Sequence, residues 1–412
     1  MSESVRPQPP LLVEPSDNSV DKPVAPEVPV GDPLAPVDDL AATGEDSLAS
    51  VDDVTDPRDD PVQPVAAAGP TISFGFNLAK IPGQGEDSDP IVRTGRELGL
   101  VAVFDGMGGA GGTLYQTPDG PRTGAYLASR VARDVVEQRM LELLDPQWNL
   151  DGPATAEDLH RSVKGALGAR LHELKAPVSG LRSRLLRALP TTMALVALQR
   201  REPTGQTWAC HLLWSGDSRA YVLQPSTGAH QLTTDDIRDH GDAMANLRED
   251  SVVSNAMSAD TDFVIHHRCV ELTAPFIVAA ATDGCFGYVR SPMHFERMML
   301  ETLSGSPTTK SWSAALAERI STVAGDDAAM GLLGVGADHD GFQRLFTERT
   351  SMITERWVDP IDALAADVER AERELDAARL RQTQRTAELW GSYKAHYESY
   401  LGETSDCSEA GQ

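Results

Sequence analysis

The sequence predicts an α+β layered sandwich, and two observations carry that expectation. From about Thr71 to Gly336 short apolar runs follow one another, several after gaps too short for a helical crossover, so neighbouring strands should pair antiparallel. Between them apolar residues recur at helical spacing, as at Leu127, Val131, Val135 and Leu143, so helices should cover the sheets as separate layers instead of forming a doubly wound sheet.

Residues 1–70 come first, with 13 prolines and 15 acidic residues against three basic ones, a composition that buries too little apolar surface to offset chain entropy and predicts a disordered tail. The strand candidates are LGLVAVF ending at Phe104, TTMALVAL from Thr191, TWACHLLW from Thr207, RAYVLQ from Arg219, FVIHHRCVEL from Phe263, PFIVAAA from Pro275 and AMGLLGV from Ala329. Helical patterns cover about 122–144, 156–174, 292–304 and 310–323. Residues 337–400 form a C-terminal helical extension, in which ADHDG at 337–341 reads as the cap of the helix that follows. Further on, Ile361, Leu364, Val368, Ala371, Leu375 and Ala378 alternate spacings of three and four until Gln382 and Arg385 interrupt them. This seam predicts a helix that either packs back on the domain or mediates self-association, and residues 401–412 form a second tail.

A formal net charge of -26 argues against a nucleic-acid surface, which needs clustered Lys and Arg. The four cysteines, Cys210, Cys269, Cys285 and Cys407, are far apart and show no zinc-type spacing, which fits reduced thiols. The N-terminus lacks a basic start and an apolar core of signal-peptide length, and no run approaches the roughly 18 apolar residues that span a bilayer. The expectation is a soluble cytoplasmic protein with neither a nucleic-acid nor a membrane partner.

The stretch LVAVFDGMGGAGG from Leu100 runs a strand into Asp105 and then into five glycines within seven residues, a place where backbone must bend sharply or approach something closely. Three more acidic turns share its position at a strand end: Asp217 in SGDSRAY, Asp283 in AATDG, and Asp326 with Asp327 in AGDDAAM. Each dipeptide alone is an ordinary turn. Together they can converge on one edge of a sandwich, where carboxylates repel one another unless hard divalent cations with oxygen ligands sit among them. The adjacent His266 and His267 should point to opposite strand faces and so not ligate as a pair. Asp235 and Asp236 open a polar stretch that reads as a surface loop.

FDGMGG, PTTMALVAL, SGDSRAYVL, QLTTDD, AATDG and GDDAAM resemble, in order and approximate spacing, the type 2C metal-dependent serine/threonine protein phosphatases over roughly residues 72–336. The resemblance implies a phosphatase domain over 71–336, built as a four-layer α-β-β-α sandwich of two antiparallel sheets with a binuclear metal site at one edge. It implies hydrolysis of phosphoserine and phosphothreonine through a metal-bridging hydroxide, with two Mg2+ or Mn2+ ions and a third, weaker one. Phosphorylated proteins would be the substrates, and a serine/threonine kinase the opposing enzyme. By motif matching Asp105 is the bridging ligand, Gly106 offers its carbonyl, and Asp283 and Asp326 complete the principal shell; these carboxylates carry the catalysis. Glu86 and Asp87 in GEDSD match the outer shell, and Asp217 goes with the third metal. The chain departs from the pattern at Met107, where some members carry His, at Gly287 for a later Asp, at Asp327 for an Asn, and at Pro82, where the phosphate-binding Arg is expected. Lys80 is the nearby cation that could bind substrate in its place. A catalytically weak phosphatase-like binding or regulatory module is the alternative that Pro82 raises.

Overall fold

A computed structural model describes residues 69–143, 150–174, 187–202, 205–238, 241–247 and 252–401, all within the compact unit Pro61–Gln412. The tail expected over 1–70, save its last two residues, the tail beyond Leu401, and Cys407 lie outside the described residues.

The chain begins with β1 (Pro70–Leu78), β2 (Ile91–Thr94) and β3 (Leu98–Val103), followed by the short α1 (Gly108–Gly111), the hairpin β4 (Leu114–Thr117) and β5 (Gly120–Thr123), and the helices α2 (Gly124–Leu143) and α3 (Gly152–Glu173). Next come β6 (Met193–Arg200), β7 (Thr207–Ser215), β8 (Arg219–Gln224), β9 (Gly228–Gln231), β10 (His266–Thr273) and β11 (Phe276–Ala281). The remainder is α4 (Asp283–Phe286), α5 (Pro292–Ser304), α6 (Thr309–Ser321), β12 (Ala328–Val335), α7 (His339–Met352), a π-helical turn (Ile353–Val358) and α8 (Asp359–Tyr397).

Two five-stranded sheets result, ordered β1-β12-β11-β8-β9 and β10-β7-β6-β3-β2, and every strand pair in them is antiparallel. Side chains alternate across a strand, and this alternation divides the interior into three cores. Val101, Val103, Val196, Val278 and Leu333 pack between the sheets. Leu100, Ala102 and Leu195 point the other way, under Leu127, Val136, Leu159 and Leu167 of α2 and α3. Ile277, Ala279 and Leu332 meet Phe295, Met299, Trp312 and Phe342 of α5, α6 and α7. Both faces of the central strands are thus covered, which is why MALVAL and FIVAAA read as unbroken apolar runs.

The strands that the sequence reading did not anticipate lie at sheet edges or in the hairpin. β1, β2 and β9 each pair on one side only; β2 and β9 are four residues long, too short for an apolar run or a regular alternation, whereas β1 does alternate, with Ile72, Phe74, Phe76 and Leu78 facing the core, a signal the sequence reading passed over. Helix starts are chemically marked. Asp151 caps α3 by accepting from the Ala154 N–H at 3.1 Å, Thr308 and Ser311 form a capping box on α6, and Asp338 of ADHDG accepts from the Gly341 N–H at 2.8 Å to start α7. α8 runs through Gln382 and Arg385 to Tyr397 with no buried residue, within the helical extension expected over 337–400. Its first turns are tied down by Asp362, which accepts from Arg290, His294 and Arg297 at 3.0 Å each. No described helix is long and apolar enough to cross a membrane.

Trp312 is fully buried and meets the Phe74 ring edge-on with centroids 5.0 Å apart, joining α6 to β1. Trp312→Ala should cost about 3–5 kcal/mol of unfolding free energy, read as a fall in the urea midpoint at unchanged slope.

Candidate metal centre

Asp105 stands where β3 ends. Its carbonyl accepts from the Thr191 hydroxyl at 2.6 Å and the Thr192 N–H at 2.9 Å, so the entry to β6 fixes the backbone that presents its side chain. The glycines after it have steric reasons. A Cβ on Gly106 would lie 2.5 Å from the Glu86 carbonyl oxygen and 2.8 Å from that of Ala125, and one on Gly108 would lie 2.0 Å from Glu86 Oε2. Only a residue without a side chain lets the 85–88 segment and α2 close on this turn.

Asp283 opens α4 at the end of β11. Next to it the Thr282 hydroxyl donates to Asp87 Oδ2 at 2.9 Å and accepts from the Ala329 N–H at 2.8 Å, tying β11, β12 and the 85–88 segment to one another. Asp217 sits in the β7–β8 turn after Gly216, whose φ of +101° favours glycine. That turn is held by Asp236, which accepts from the Gly216 N–H at 3.0 Å, from Asn255, and from His266 Nε2 at 2.9 Å when that nitrogen is protonated.

These placements bring Asp87, Asp105, Asp217 and Asp283 together. Burial raises the Asp105 carboxyl well above its usual range, and the fields of Asp87, Asp283 and Asp217 add to it. Burial likewise pushes Asp87 up to about 8, assisted by Asp283 and Asp327, and Asp217 up to about 7, assisted by Asp283 and Asp235. Asp283 is raised by burial and by Asp326, while the bond with Asp105 opposes the rise. The interaction between the two carboxyls thus raises Asp105 and lowers Asp283. Glu86 is raised by burial, opposed by the Thr123 hydroxyl, with Asp327 and Asp326 adding their repulsion.

Asp326 and Asp327 part company. Asp326 is exposed at the start of β12, within the field of Glu86 and Asp283, and takes the Asp327 N–H on its own Oδ1 at 2.8 Å. Asp327 accepts from the Lys80 N–H at 2.8 Å and the Glu86 N–H at 2.6 Å, one on each oxygen, and so pins the 80–86 loop. Lys80 is exposed and lines a cleft of about 410 Å³ with Glu86, Arg122, Thr123, Tyr126 and Asp326. Arg130 is occupied elsewhere, donating to the carbonyls of Gly85, Glu86 and Asp87 from 3.5 Å above the Tyr126 ring.

Arg122 is the cation that the sequence reading missed. It stands on β5, with its guanidinium 4.6 Å from the Tyr126 ring centre and one bond of 3.2 Å to the Gly83 carbonyl, and it faces the same cleft as Lys80. Only recognition of the hairpin could have found it, through the TPDG turn at 117–120. Asp235 and Asp236 are not surface-loop residues as expected. Asp235 is buried and holds Arg219 through bonds of 2.9 and 2.6 Å, since a guanidinium this deep needs a carboxylate. His266 and His267 diverge as expected, the first against Asp236 and Trp214, the second against His211.

Among the described residues no three His, Cys, Asp or Glu side chains stand ready as a metal cage. The donor set nevertheless fits a hard divalent cation. It consists of carboxylates alone, and they repel one another, a repulsion that a positive charge among them would relieve.

No protein-family model and no curated protein matches the chain. Among solved structures it is similar to the serine/threonine phosphatase PstP/Ppp of Mycobacterium tuberculosis, with 19% identity over 64% of this chain and 98% of that one and a TM-score of 0.43. It is also similar to the serine/threonine phosphatase Stp1 of Staphylococcus aureus (16%, 64% and 95%, TM-score 0.45) and to the PPM Ser-Thr phosphatase MsPP of Mycobacterium smegmatis (14%, 65% and 99%, TM-score 0.39). Values this low do not transfer a function.

Two outcomes test the electrostatics of the site. Asp87 and Asp217 hold protons up to about 8 and about 7 that an unfolded aspartate releases near 3.8, so their contribution to stability is lost as pH rises across that window. The melting temperature of the metal-free protein should therefore fall between about pH 5 and 8, and added Mn2+ should flatten the decline while releasing protons. Asp235→Ala leaves Arg219 buried without its partner and should cost about 3–5 kcal/mol, measured by urea unfolding.

Proposed function

We propose that the chain is a metal-dependent phosphatase acting on phosphoserine and phosphothreonine in proteins, with the four-layer arrangement and binuclear site of the family that its motifs resemble. The observation that carries this reading is the cluster of four buried or half-buried carboxylates, three at strand ends and Asp87 in the loop before β2, that repel one another. Asp105, Asp283 and Asp326 would hold two Mg2+ or Mn2+ ions with the Gly106 carbonyl, Glu86 and Asp87 would orient the outer oxygen ligands, and Asp217 would serve a third ion. When bound, such a pair supplies an activated water and neutralises phosphate oxygens during in-line attack.

The protein's own groups do the rest. Thr191 and Thr192 keep Asp105 from turning, Thr282 orients Asp87, and Asp327 sets the loop that carries Glu86. Substrate phosphate would be drawn into the cleft between Lys80 and Arg122. Arg122 offers a planar fork of donors and Lys80 a point charge, so Arg122 is the better replacement for the arginine missing at Pro82. Cys285 is buried, its thiol pushed far above the usual range first by burial and then by Asp87 and Asp283, which rules it out as a nucleophile.

Hydrolysis of a phosphothreonine peptide should disappear with EDTA and return with Mn2+ or Mg2+. Asp105→Asn should lose at least about a hundredfold in kcat, because a charge that holds both ions is removed, whereas Cys285→Ser should retain most activity. The opposite pattern would replace metal chemistry with thiol chemistry.

Steady-state kinetics separate phosphate capture from the chemical step. Arg122→Ala should raise KM by about tenfold or more with a smaller change in kcat, the loss expected for one charge-assisted hydrogen bond. Lys80→Ala should raise KM less. Equal KM values in all three proteins would remove both cations from substrate binding.

A further inference from the structure

The helix α8 is 39 residues long, about 58 Å at 1.5 Å per residue, and not one of its residues is buried. Leu364, Val368, Leu375, Leu389, Tyr393 and Tyr397 are each 50–68% exposed, far more apolar surface than a solvated helix ordinarily displays. At 100° per residue these six side chains fall on one stripe within an arc of about 80°, in two groups, Leu364 to Leu375 and Leu389 to Tyr397, with Gln382 on the same arc between them. The contacts with the domain use a different face: Asp362 and Glu369 reach Arg290 and Arg297, and both lie well away from the stripe around the helix axis. The domain therefore leaves the apolar stripe uncovered.

Charge along the helix says what covers it. Residues 359–378 carry seven carboxylates against two arginines, while 379–397 carry three arginines and one lysine against a single carboxylate, Glu388. Two parallel copies would set the acidic halves side by side, whereas two antiparallel copies set each acidic half against a basic one. Four of the six apolar positions obey the same symmetry: about a point midway between residues 378 and 379, Leu364 mirrors Tyr393 and Val368 mirrors Leu389. The exposed pairs within the helix, such as Arg379 with Asp376 at 3.4 Å, are worth only about 0.3–0.5 kcal/mol each and do not compete strongly.

We infer that α8 is a self-association surface whose occupant is the α8 of a second copy of this chain, paired antiparallel. Leu364 packs on the partner's Tyr393 and Val368 on the partner's Leu389, and the acidic half of each helix lies along the basic half of the other.

The test uses the full chain with Cys269→Ser and Cys407→Ser. Sedimentation velocity should give twice the monomer mass at micromolar concentration, and Val368→Asp should return the monomer without lowering the melting temperature of the domain. Under mild oxidation an equimolar mixture of Val368→Cys and Leu389→Cys chains should form the mixed disulfide. Val368→Cys alone should form none, because its two copies stand about 31 Å apart, far beyond disulfide reach. Arg381→Glu with Arg385→Glu, which leaves both halves of the helix acidic, should dissociate the dimer. A monomer at about 100 μM, where even a weak coiled coil populates the dimer, would overturn the inference, as would self-crosslinking of Val368→Cys.

Discussion

Mutual repulsion among carboxylates gathered at the ends of strands is the constraint around which the rest of this molecule is arranged. Asp87, Asp105, Asp217 and Asp283 come from three separate turns and one loop, and Asp283 raises the proton affinity of the other three, with Asp87 and Asp217 adding to that of Asp105. Such a cluster opposes folding unless the backbone beneath it is rigid and its charge is compensated. Rigidity comes from the sheets. β3 and β11 have both faces in packed cores, so Asp105 and Asp283 are delivered by two of the least deformable elements available. Hydroxyls do the fine positioning: Thr191 on the Asp105 carbonyl, Thr282 on Asp87 and Thr123 on Glu86.

Around that cluster the protein separates holding from binding. Arg130 and Arg219 are spent on structure, one on the carbonyls of the 85–87 segment and the other on Asp235. Arg122 and Lys80 stand at the mouth of the cleft, where an anionic substrate would arrive. Arginine serves the buried tasks because its fork satisfies several acceptors at once.

What was legible in the sequence was whatever depends on local pattern. The central strands announced themselves as apolar runs because both of their faces are buried, and the acidic turns because Asp beside Gly at a strand end is a short-range signal. The hairpin that carries Arg122 was not legible, since its pairs Leu114 with Thr123 and Thr117 with Gly120 leave no alternating apolar face. Nor was the burial of Asp235 or the role of half-buried Asp236 in holding the β7–β8 turn. Their partners Arg219, Gly216 and His266 lie 16 to 30 residues away, and no local spacing encodes contacts of that kind. In α8 the apolar seam was visible, and the helix expected over 337–400 runs past the polar residues that interrupt the seam, because Gln and Arg are good helix formers whatever they do to an interface.

The two N–H groups gripped by Asp327 bear on which residue this position can hold. Lys80 and Glu86 each present one donor, and the two oxygens of a single carboxylate receive them separately. An asparagine has the same shape but only one acceptor oxygen, and its amide would turn a donor toward one of those N–H groups. The departure from the Asn of the resembled family is therefore a matter of donor and acceptor arithmetic in the loop beside it. A chain that closes this loop on two backbone donors has committed itself to an acid at this position, whatever the metals require.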